Sequence, residues 1–161
     1  MDIFLVVLFS YLSGSIPFGL ILTKFFSKID IRKIGSGNIG TTNVLRTGNK
    51  FLAFVTLTLD ALKGFVPVAI TLKLFPEFIY LSALLAFLGH IFPIWIRFKG
   101  GKGVATYLGI LFALSLQLSF LFIFTWIVVS LIFKFSSLSS MFSSLTVLVV
   151  TLIKDTALNS I

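Results

Sequence analysis

The residues from 104 to 133 contain no charged side chain and form an uncharged run of thirty residues. As one helix this run would be about 45 Å long, whereas the hydrocarbon core of a bilayer is about 30 Å thick. It therefore indicates either one steeply tilted helix or two short spans broken near residues 115–117. Lys134 favours two spans, because the second of them would return this lysine to the cytoplasm.

Other apolar runs are close to the length that crosses a bilayer, which is about 20 residues. They are residues 3–23, 51–72 and 78–96, and a further apolar run, residues 141–153, is on the short side. Only 11% of the residues are charged, whereas soluble domains have about a quarter. We predict an all-α integral membrane protein, a polytopic helical bundle of about six transmembrane helices that forms a single domain over residues 1–161.

Basic side chains are concentrated in the polar loop of residues 24–50, which has only one acidic residue, Asp30. The positive-inside rule places this loop in the cytoplasm and the N-terminus outside. The net charge of +8 does not indicate nucleic acid, because the basic residues flank apolar runs, where each attracts anionic headgroups by about 1 kcal/mol. We expect membrane lipid and an anionic substrate as partners, and no nucleic acid.

Residues 35–43 hold three glycines, one serine, two threonines and two asparagines in nine residues. Glycine-dense backbone can turn its N–H groups toward an anion, and short hydroxyl and amide side chains add donors. Lys33 precedes the stretch and Arg46 follows it, so an anion there would also meet positive charge. We interpret residues 35–43 as a phosphate-binding loop, the first loop.

A second glycine-rich segment, Lys99-Gly100-Gly101-Lys102-Gly103, directly precedes the helix predicted from Val104. N–H groups at a helix N-terminus favour anions, and glycines let the backbone approach closely. A solvated run of charge is the simpler alternative, but it would not require three glycines. We interpret this segment as the second loop of a phosphate site, in the cytoplasm beside the first.

One acidic residue, Asp60, and one basic residue, Lys63, lie inside the apolar run 51–72. Each would cost about 2.5 to 3.5 kcal/mol near the bilayer centre, so both should face the bundle interior. Three residues apart on a helix, they can pair. The sequence leaves open whether this is a neutralising structural pair or takes a direct catalytic part.

Small residues around Pro17 interrupt the first apolar run. Proline removes a helix hydrogen bond, so we expect a kink there. Ser15 and Gly19 are four residues apart on one helix face, a spacing typical of close helix packing. Packing and a lining role in a polar site both remain open for them.

His90 has a side chain whose pKa is ordinarily near neutral, so it could act as a general base. A single histidine at the end of an apolar helix is also commonly a hydrogen-bonded anchor for a loop, and both interpretations remain open. The absence of cysteine removes thiolate chemistry. A nucleotide-binding P-loop pattern and a two-histidine zinc pattern are also absent, so we expect no metal.

Several stretches together match a known family. They are residues 14–17, 35–46, 60–64, 90–93, 98–106 and 136–138, in this order. With them the chain resembles the acyl-phosphate-dependent glycerol-3-phosphate acyltransferases of bacteria, the PlsY type.

The resemblance implies an enzyme that moves a fatty acyl group from acyl phosphate to the 1-hydroxyl of glycerol 3-phosphate, giving lysophosphatidic acid and phosphate. It implies a seven-helix fold in the bacterial inner membrane with the active site facing the cytoplasm. No cofactor, metal or coenzyme A is implied. The substrates are glycerol 3-phosphate and acyl phosphate, and the implied partners are membrane lipid and other enzymes of phospholipid synthesis.

The resemblance also assigns roles to residues. His90 would orient or deprotonate, Lys102 would neutralise the leaving phosphate, and Asn43 would act beside them. Substrate and phosphate binding falls to Ser36, Gly37, Asn38, Gly40, Thr42, Arg46, Lys99, Gly100, Gly101, Gly103, Thr106, Ser136 and Ser137. Supporting roles fall to Ser15, Pro17, Asp60 and Lys63.

The family usually continues through one more helix that carries histidine, asparagine, arginine and glutamate, and nothing after Ile153 supplies this pattern. We therefore expect six spans here and a chain truncated at its C-terminus. Two other functions remain as alternatives. One is a phosphate or organic-anion transporter, with Asp60 and Lys63 as coupling charges, and the other is a catalytically inactive truncated homologue.

Overall fold

The computed structural model describes the backbone of residues 1–158 and the side chains of residues 1–154. Within that part the chain is helical and contains no strand. The helices are α1 Asp2–Ser15, α2 Phe18–Ser27, α3 Thr41–Leu45, α4 Lys50–Leu74, α5 Ile79–Ile91, α6 Val104–Leu114, α7 Leu116–Phe133 and α8 Ser136–Leu158. Short 3₁₀ turns occur at Ile31–Lys33, Pro76–Phe78 and Ile94–Ile96.

The predicted class of all-α membrane protein is confirmed. In the described residues 4 segments are long and apolar enough to cross a membrane, namely Lys50–Leu74, Pro76–Ile96, Leu116–Phe133 and Ser136–Lys154. The pair formed by α1 and α2 makes a fifth if it is one bent span. Helix α6 has only 11 residues, so the count of six spans stays a prediction. The outside position of the N-terminus also stays a prediction.

The kink predicted at Pro17 is confirmed. Helix α1 ends at Ser15, Ile16 is extended with φ −65° and ψ 117°, and α2 begins at Phe18. The two helices are bent by 40°. The pyrrolidine ring removes the N–H that a continuous helix would need at this position.

The long uncharged run is divided where the sequence indicated. Helix α6 ends at Leu114, and the Ser115 side chain accepts a hydrogen bond from the N–H of Leu118 as the N-cap of α7. A serine in extended backbone can begin a new helix in this way. The break therefore comes from a cap and not from charge.

The span predicted over residues 78–96 agrees with the apolar segment Pro76–Ile96. This segment is not one continuous α-helix, because α5 ends at Ile91, the backbone turns at Phe92, and Pro93, which has no N–H group, follows. The last apolar run was predicted over residues 141–153, whereas α8 begins earlier, at Ser136, and includes the serines at 136–140. Ser139 and Ser140 donate to backbone carbonyls three or four residues earlier, which satisfies their hydroxyls within a helix.

The chain divides into two compact units, residues 1–114 and the residues from Ser115 onward. The single domain over 1–161 stays a prediction. In the second unit α7 and α8 pack as an antiparallel pair, with the rings of Phe133 and Phe142 stacked at one end. At the other end Lys154 donates to the side-chain oxygen of Gln117 over 2.9 Å.

In the first unit small residues let helices approach closely. Gly14 of α1 lies against the backbone of Ala86 in α5, and the hydroxyls of Ser10 and Ser82 bond at 2.8 Å along the same contact. Helix α6 packs on α4 in the same manner, with Gly64 against the backbone of Thr106. Small residues take this role in membranes because close packing, and not water exclusion, drives helix association.

The contact at Gly14 predicts a specific loss of stability. In Gly14→Ala the added methyl group would lie 2.7 Å and 2.8 Å from the carbonyl carbon and Cα of Ala86, so α1 and α5 must separate. Overpacking of this kind costs about 1 to 3 kcal/mol. We expect a lower Tm in detergent.

Gly40→Ala is the matched control, because the nearest atom to its methyl group would be the Asn38 side-chain oxygen at 3.5 Å, an ordinary contact. Its Tm should match that of the unsubstituted protein. Equal Tm values for both variants would contradict the close packing of α1 on α5.

Candidate functional site

The first loop is organised around the side chain of Asn43, which is 2% exposed. Its amide nitrogen donates to the carbonyls of Ile31, Ile34 and Asn38 over 2.9, 3.0 and 2.8 Å. Its amide oxygen accepts from the N–H of Ser36 at 3.3 Å. One carbonyl oxygen of the loop and two of the segment just before it are therefore turned inward onto one amide.

Backbone N–H groups of the same loop remain available. Those of Gly35, Asn38 and Ile39 have no hydrogen-bond partner within the described part of the chain. Gly35 has φ +53°, and a methyl group there would lie 2.6 Å from a guanidinium nitrogen of Arg46. Only glycine fits a left-handed backbone this close to a cation, and such loops form anion-binding concavities.

The side chains that the first loop leaves accessible are polar or basic. Ser36, Thr42 and Arg46 are exposed, and Gly37 and Gly40 complete the turn between them. Thr41 was not among the predicted residues. Its hydroxyl is buried without a hydrogen-bond partner in the described residues, and its place beside Thr42 is the signal that could have identified it.

The second loop folds back onto the end of α5. The N–H groups of Gly100 and Gly101 donate to the carbonyls of Ile91 and His90 over 3.0 and 3.1 Å. The Cα of Gly101 lies against Nε2 of the His90 ring, where no methyl group would fit. The side chains of Lys99 and Lys102 are exposed beside this contact.

His90 is enclosed by the residues that hold the second loop. It is 3% exposed, and its Nδ1 lies 3.0 Å from the hydroxyl of Thr106 and 3.9 Å from Oδ1 of Asp60. Thr106 is fully buried in the first turn of α6. These contacts favour a role for His90 as a hydrogen-bonded anchor of the loop over a role as a general base.

The charges predicted inside α4 are paired and buried. Lys63 Nζ lies 2.7 Å from Oδ1 of Asp60, and both side chains are 3% exposed. The same ammonium donates to the carbonyl of Ile16 over 2.6 Å and lies 5.7 Å from the centroid of the Phe18 ring. The pair therefore joins α4 to the break between α1 and α2.

The two loops lie at the same end of the first unit. Ile96, which precedes the second loop, packs against a buried cluster that contains Ile39 and Val44 of the first loop region. The Trp95 ring N–H donates to the Ser15 hydroxyl over 2.8 Å and fixes this connection on α1. Sequence reasoning missed Trp95, because an exposed aromatic residue near a loop gives no particular signal.

The cations at this end differ in availability. Arg46, Lys99 and Lys102 form no ion pair with a carboxylate in residues 1–154. Arg32, in contrast, bonds both carboxylate oxygens of Asp30 over 2.9 and 2.6 Å. These three side chains are therefore free to meet an anion, and so are Lys33 and Arg97, which are exposed beside the two loops and also form no ion pair in residues 1–154.

The Asp30–Arg32 pair also fixes the charge at the entrance of the first loop. The Arg32 guanidinium holds the pKa of the Asp30 carboxyl well below its usual range. Any stability that this pair contributes is present above the unfolded pKa of about 3.9 and is lost as the pH falls toward the lower folded value. Near neutral pH Arg32 is therefore already neutralised by its neighbour.

The structure places the other predicted residues as follows. Pro17 lies in the break before α2, Gly103 has φ +78° before α6, and Ser15 bonds Trp95 and the carbonyl of Leu12. Ser136 and Ser137 lie in the second unit at the start of α8. Their part in the site stays a prediction.

Comparison with known proteins gives consistent matches. The profile of a family described as glycerol-3-phosphate acyltransferase matches residues 4–161. A curated glycerol-3-phosphate acyltransferase of Pelagibacter ubique (strain HTCC1062) is 58% identical over 147 residues, which cover 91% of this chain and 77% of that protein. The chain thus spans about three quarters of the length of that relative.

Solved structures are similar over nearly the whole chain. The crystal structure of PlsY (YgiH), an integral membrane glycerol 3-phosphate acyltransferase, in its glycerol 3-phosphate form is 36% identical with a TM-score of 0.91. Its lysphosphatidic acid form is 35% identical with a TM-score of 0.89. Each match covers 96% of this chain and 78% of the other.

The role of Asn43 predicts how the first loop responds to substitution. In Asn43→Ala the carbonyls of Ile31, Ile34 and Asn38 lose their donor, and buried groups left unpaired cost about 1 to 3 kcal/mol each. We expect faster amide hydrogen exchange across residues 31–40 in lipid. Asn43→Asp should do the same, since it keeps the acceptor but removes the donors.

Asn49→Ala is the control, because that side chain caps α4 by accepting from Leu52 and does not bond the first loop. Its exchange should rise only in the first turn of α4. Unchanged exchange over 31–40 in both Asn43 variants would show that Asn43 does not hold the loop.

Proposed function

Because the chain belongs to the glycerol-3-phosphate acyltransferase family, we propose that it transfers a fatty acyl group from acyl phosphate to the 1-hydroxyl of glycerol 3-phosphate. The products are lysophosphatidic acid and inorganic phosphate. The observation that carries this proposal is the presence of two glycine-rich loops with unpaired cations at one end of one helical unit. Each substrate brings one phosphate, so the reaction requires two phosphate sites side by side.

The first loop suits glycerol 3-phosphate. Its free N–H groups and the guanidinium of Arg46 would bind the phosphate, while the hydroxyls of Ser36 and Thr42 would bind the glycerol hydroxyls. Asn38 lies half-buried between them. Asn43 contributes by holding these groups in place, since its own amide is fully engaged with the loop.

The second loop suits the acyl phosphate. Lys99 and Lys102 are exposed and without carboxylate partners in residues 1–154, so both can neutralise charge that develops on the departing phosphate. Gly100 and Gly101 let the phosphate approach the backbone.

The reaction requires no enzyme nucleophile, because acyl phosphate is already activated. The 1-hydroxyl oxygen of glycerol 3-phosphate attacks the acyl carbonyl carbon and forms the new ester bond. The bond between that carbon and the phosphate oxygen breaks, its electron pair leaves with phosphate, and the hydroxyl proton passes to phosphate. Alignment of the reactants can supply about 7 to 11 kcal/mol of the barrier.

In this proposal His90 orients and does not remove the proton. Both ring nitrogens face protein atoms, Nδ1 toward Thr106 and Nε2 toward Gly101, and the ring is 3% exposed. A transporter is less well supported, because coupling charges must exchange partners during transport. Lys63 instead binds both Asp60 and the carbonyl of Ile16.

The proposed location is the bacterial inner membrane, with the active site facing the cytoplasm and the whole chain acting as one domain. The basic loop of residues 24–50 supports this orientation through the positive-inside rule. Acyl phosphate is an amphiphile that partitions into the bilayer, so its phosphate would reach the second loop from the membrane surface. Enzymes that produce acyl phosphate or consume lysophosphatidic acid are the expected partners.

Substitution of the cations tests the proposal. In lipid the purified protein should convert glycerol 3-phosphate and acyl phosphate to lysophosphatidic acid. Lys102→Ala should lower kcat by about 100-fold, since removal of one preorganised charge donor costs 10² to 10³ in rate. Arg46→Ala should raise the KM for glycerol 3-phosphate.

Lys73→Ala is the matched control, because Lys73 is exposed in the last turn of α4, at the end opposite Lys50 and the first loop. Its rate should equal that of the unsubstituted protein. Folded Lys102→Ala and Arg46→Ala variants with unchanged kinetics would reject the two-loop site. An unsubstituted protein that forms no product would reject the activity itself.

A further inference from the structure

We propose that Lys63, paired with Asp60, is a positioning residue that fixes the first and second loops relative to each other. The inference rests on the function proposed above, because it concerns the alignment of that reaction's two substrates. Neither side chain reaches the accessible surface of the loops, since both are 3% exposed. Their effect on the reaction must therefore pass through the residues that they hold.

One connection leads from Lys63 to the first loop. The ammonium donates to the carbonyl of Ile16 in the break before α2, and this carbonyl also accepts the N–H of Phe18 over 3.1 Å. Directly beyond the break, Gly19 lies against the carbonyl of Ile39 in the first loop. Leu20 packs in the same buried cluster as Ile39. Lys63 therefore sets the position of the segment on which the first loop rests.

The other connection leads through Asp60 to the second loop. Asp60 Oδ1 lies 2.7 Å from the Lys63 ammonium and 3.9 Å from Nδ1 of His90. His90 in turn contacts Gly101 with its ring and accepts the Gly101 N–H on its carbonyl. Thr106, which bonds His90, lies against Gly64, the residue after Lys63.

The two connections meet within one turn of α4, since Asp60 and Lys63 are three residues apart. A change at the pair would act on the α1–α2 break through Lys63 and on His90 through Asp60. Each loop would keep its internal hydrogen bonds, since those of Asn43 and of Gly100 do not involve α4. What would change is the distance between the two bound phosphates.

Stability alone does not explain why this pair is charged. A buried ion pair replaced by apolar groups of similar size is often neutral or more stable, whereas removal of one partner leaves an uncompensated charge. Apolar residues at both positions would therefore hold the helices together equally well. They would not bind the Ile16 carbonyl or face the His90 ring, which are the two contacts that reach the loops.

To test the inference, kcat, KM and substrate binding are compared in lipid between Lys63→Met and the double variant Asp60→Asn, Lys63→Met. The single variant leaves Asp60 unpaired and is the one at risk of not folding. The double variant has no buried charge and should fold. We expect it to keep the KM for glycerol 3-phosphate and equilibrium binding of that substrate by calorimetry, but to lose about 100-fold in kcat through misalignment.

Two further variants separate positioning from a general structural role. Lys73→Met, the same substitution at an exposed lysine of α4, should leave kcat and KM unchanged. Lys63→Arg keeps the charge and the donors, so its kcat should exceed that of Lys63→Met. A purely structural role would lower the amount of folded protein and leave kcat per folded molecule unchanged.

If the double variant folds and its kcat equals that of the unsubstituted protein, the inference is overturned while the proposed function is left intact. A parallel loss of kcat and glycerol 3-phosphate binding would also overturn it, because the first loop would then depend on the pair for its own shape. If the unsubstituted protein transfers no acyl group, the proposed function fails and this inference fails with it.

Discussion

The hydrogen bonds of the Asn43 amide are the interaction on which the binding surface of the first loop depends. A backbone loop carries as many carbonyl oxygens as N–H groups, and the oxygens repel an anion. The Asn43 amide group bonds one of these oxygens, that of Asn38, and two from the segment just before the loop. The loop can then present N–H groups, hydroxyls and the Arg46 guanidinium outward.

The second loop is held in place by a different residue, His90. Helix α5 ends at Ile91, and the chain that follows returns to it through the N–H groups of Gly100 and Gly101. Helix α6 then begins against Gly64, near the middle of α4. This explains why α6 needs only 11 residues. The lysines of the loop are held beside the interior of the unit by contacts with the buried His90.

Local chemistry in the sequence was sufficient to predict the helix breaks. Proline at position 17 acts through its backbone and serine at position 115 through its side chain, and each interrupts a helix where expected. The end of α5 was missed although Pro93 marks it locally, because the other residues of 92–96 are as apolar as the helix before them. The serines at 136–140 were misleading for the opposite reason, since they are polar but can bond within a helix.

The candidate site could be predicted as a set of residues but not as a set of contacts. Glycine content and neighbouring cations indicated both loops, since the proposed phosphate binding would depend on these residues locally. The inward position of Asn43 and the link from Lys63 to Ile16 depend on residues far apart in sequence. Side chains of the same type can bind substrate or hold a loop, and only the fold distinguishes these roles.

The most direct test of two adjacent phosphate sites is to detect two bound molecules at once through their phosphorus atoms. Protein labelled with nitrogen-15 at the lysine ε-nitrogen would be prepared in lipid with glycerol 3-phosphate and an unreactive acyl phosphonate, and ³¹P–¹⁵N dipolar couplings would be recorded. We predict coupling of the phosphonate to lysine that Lys99→Gln, Lys102→Gln removes, with glycerol 3-phosphate still bound. A phosphonate bound with no coupling to lysine, or excluded by glycerol 3-phosphate, would contradict two adjacent phosphate sites.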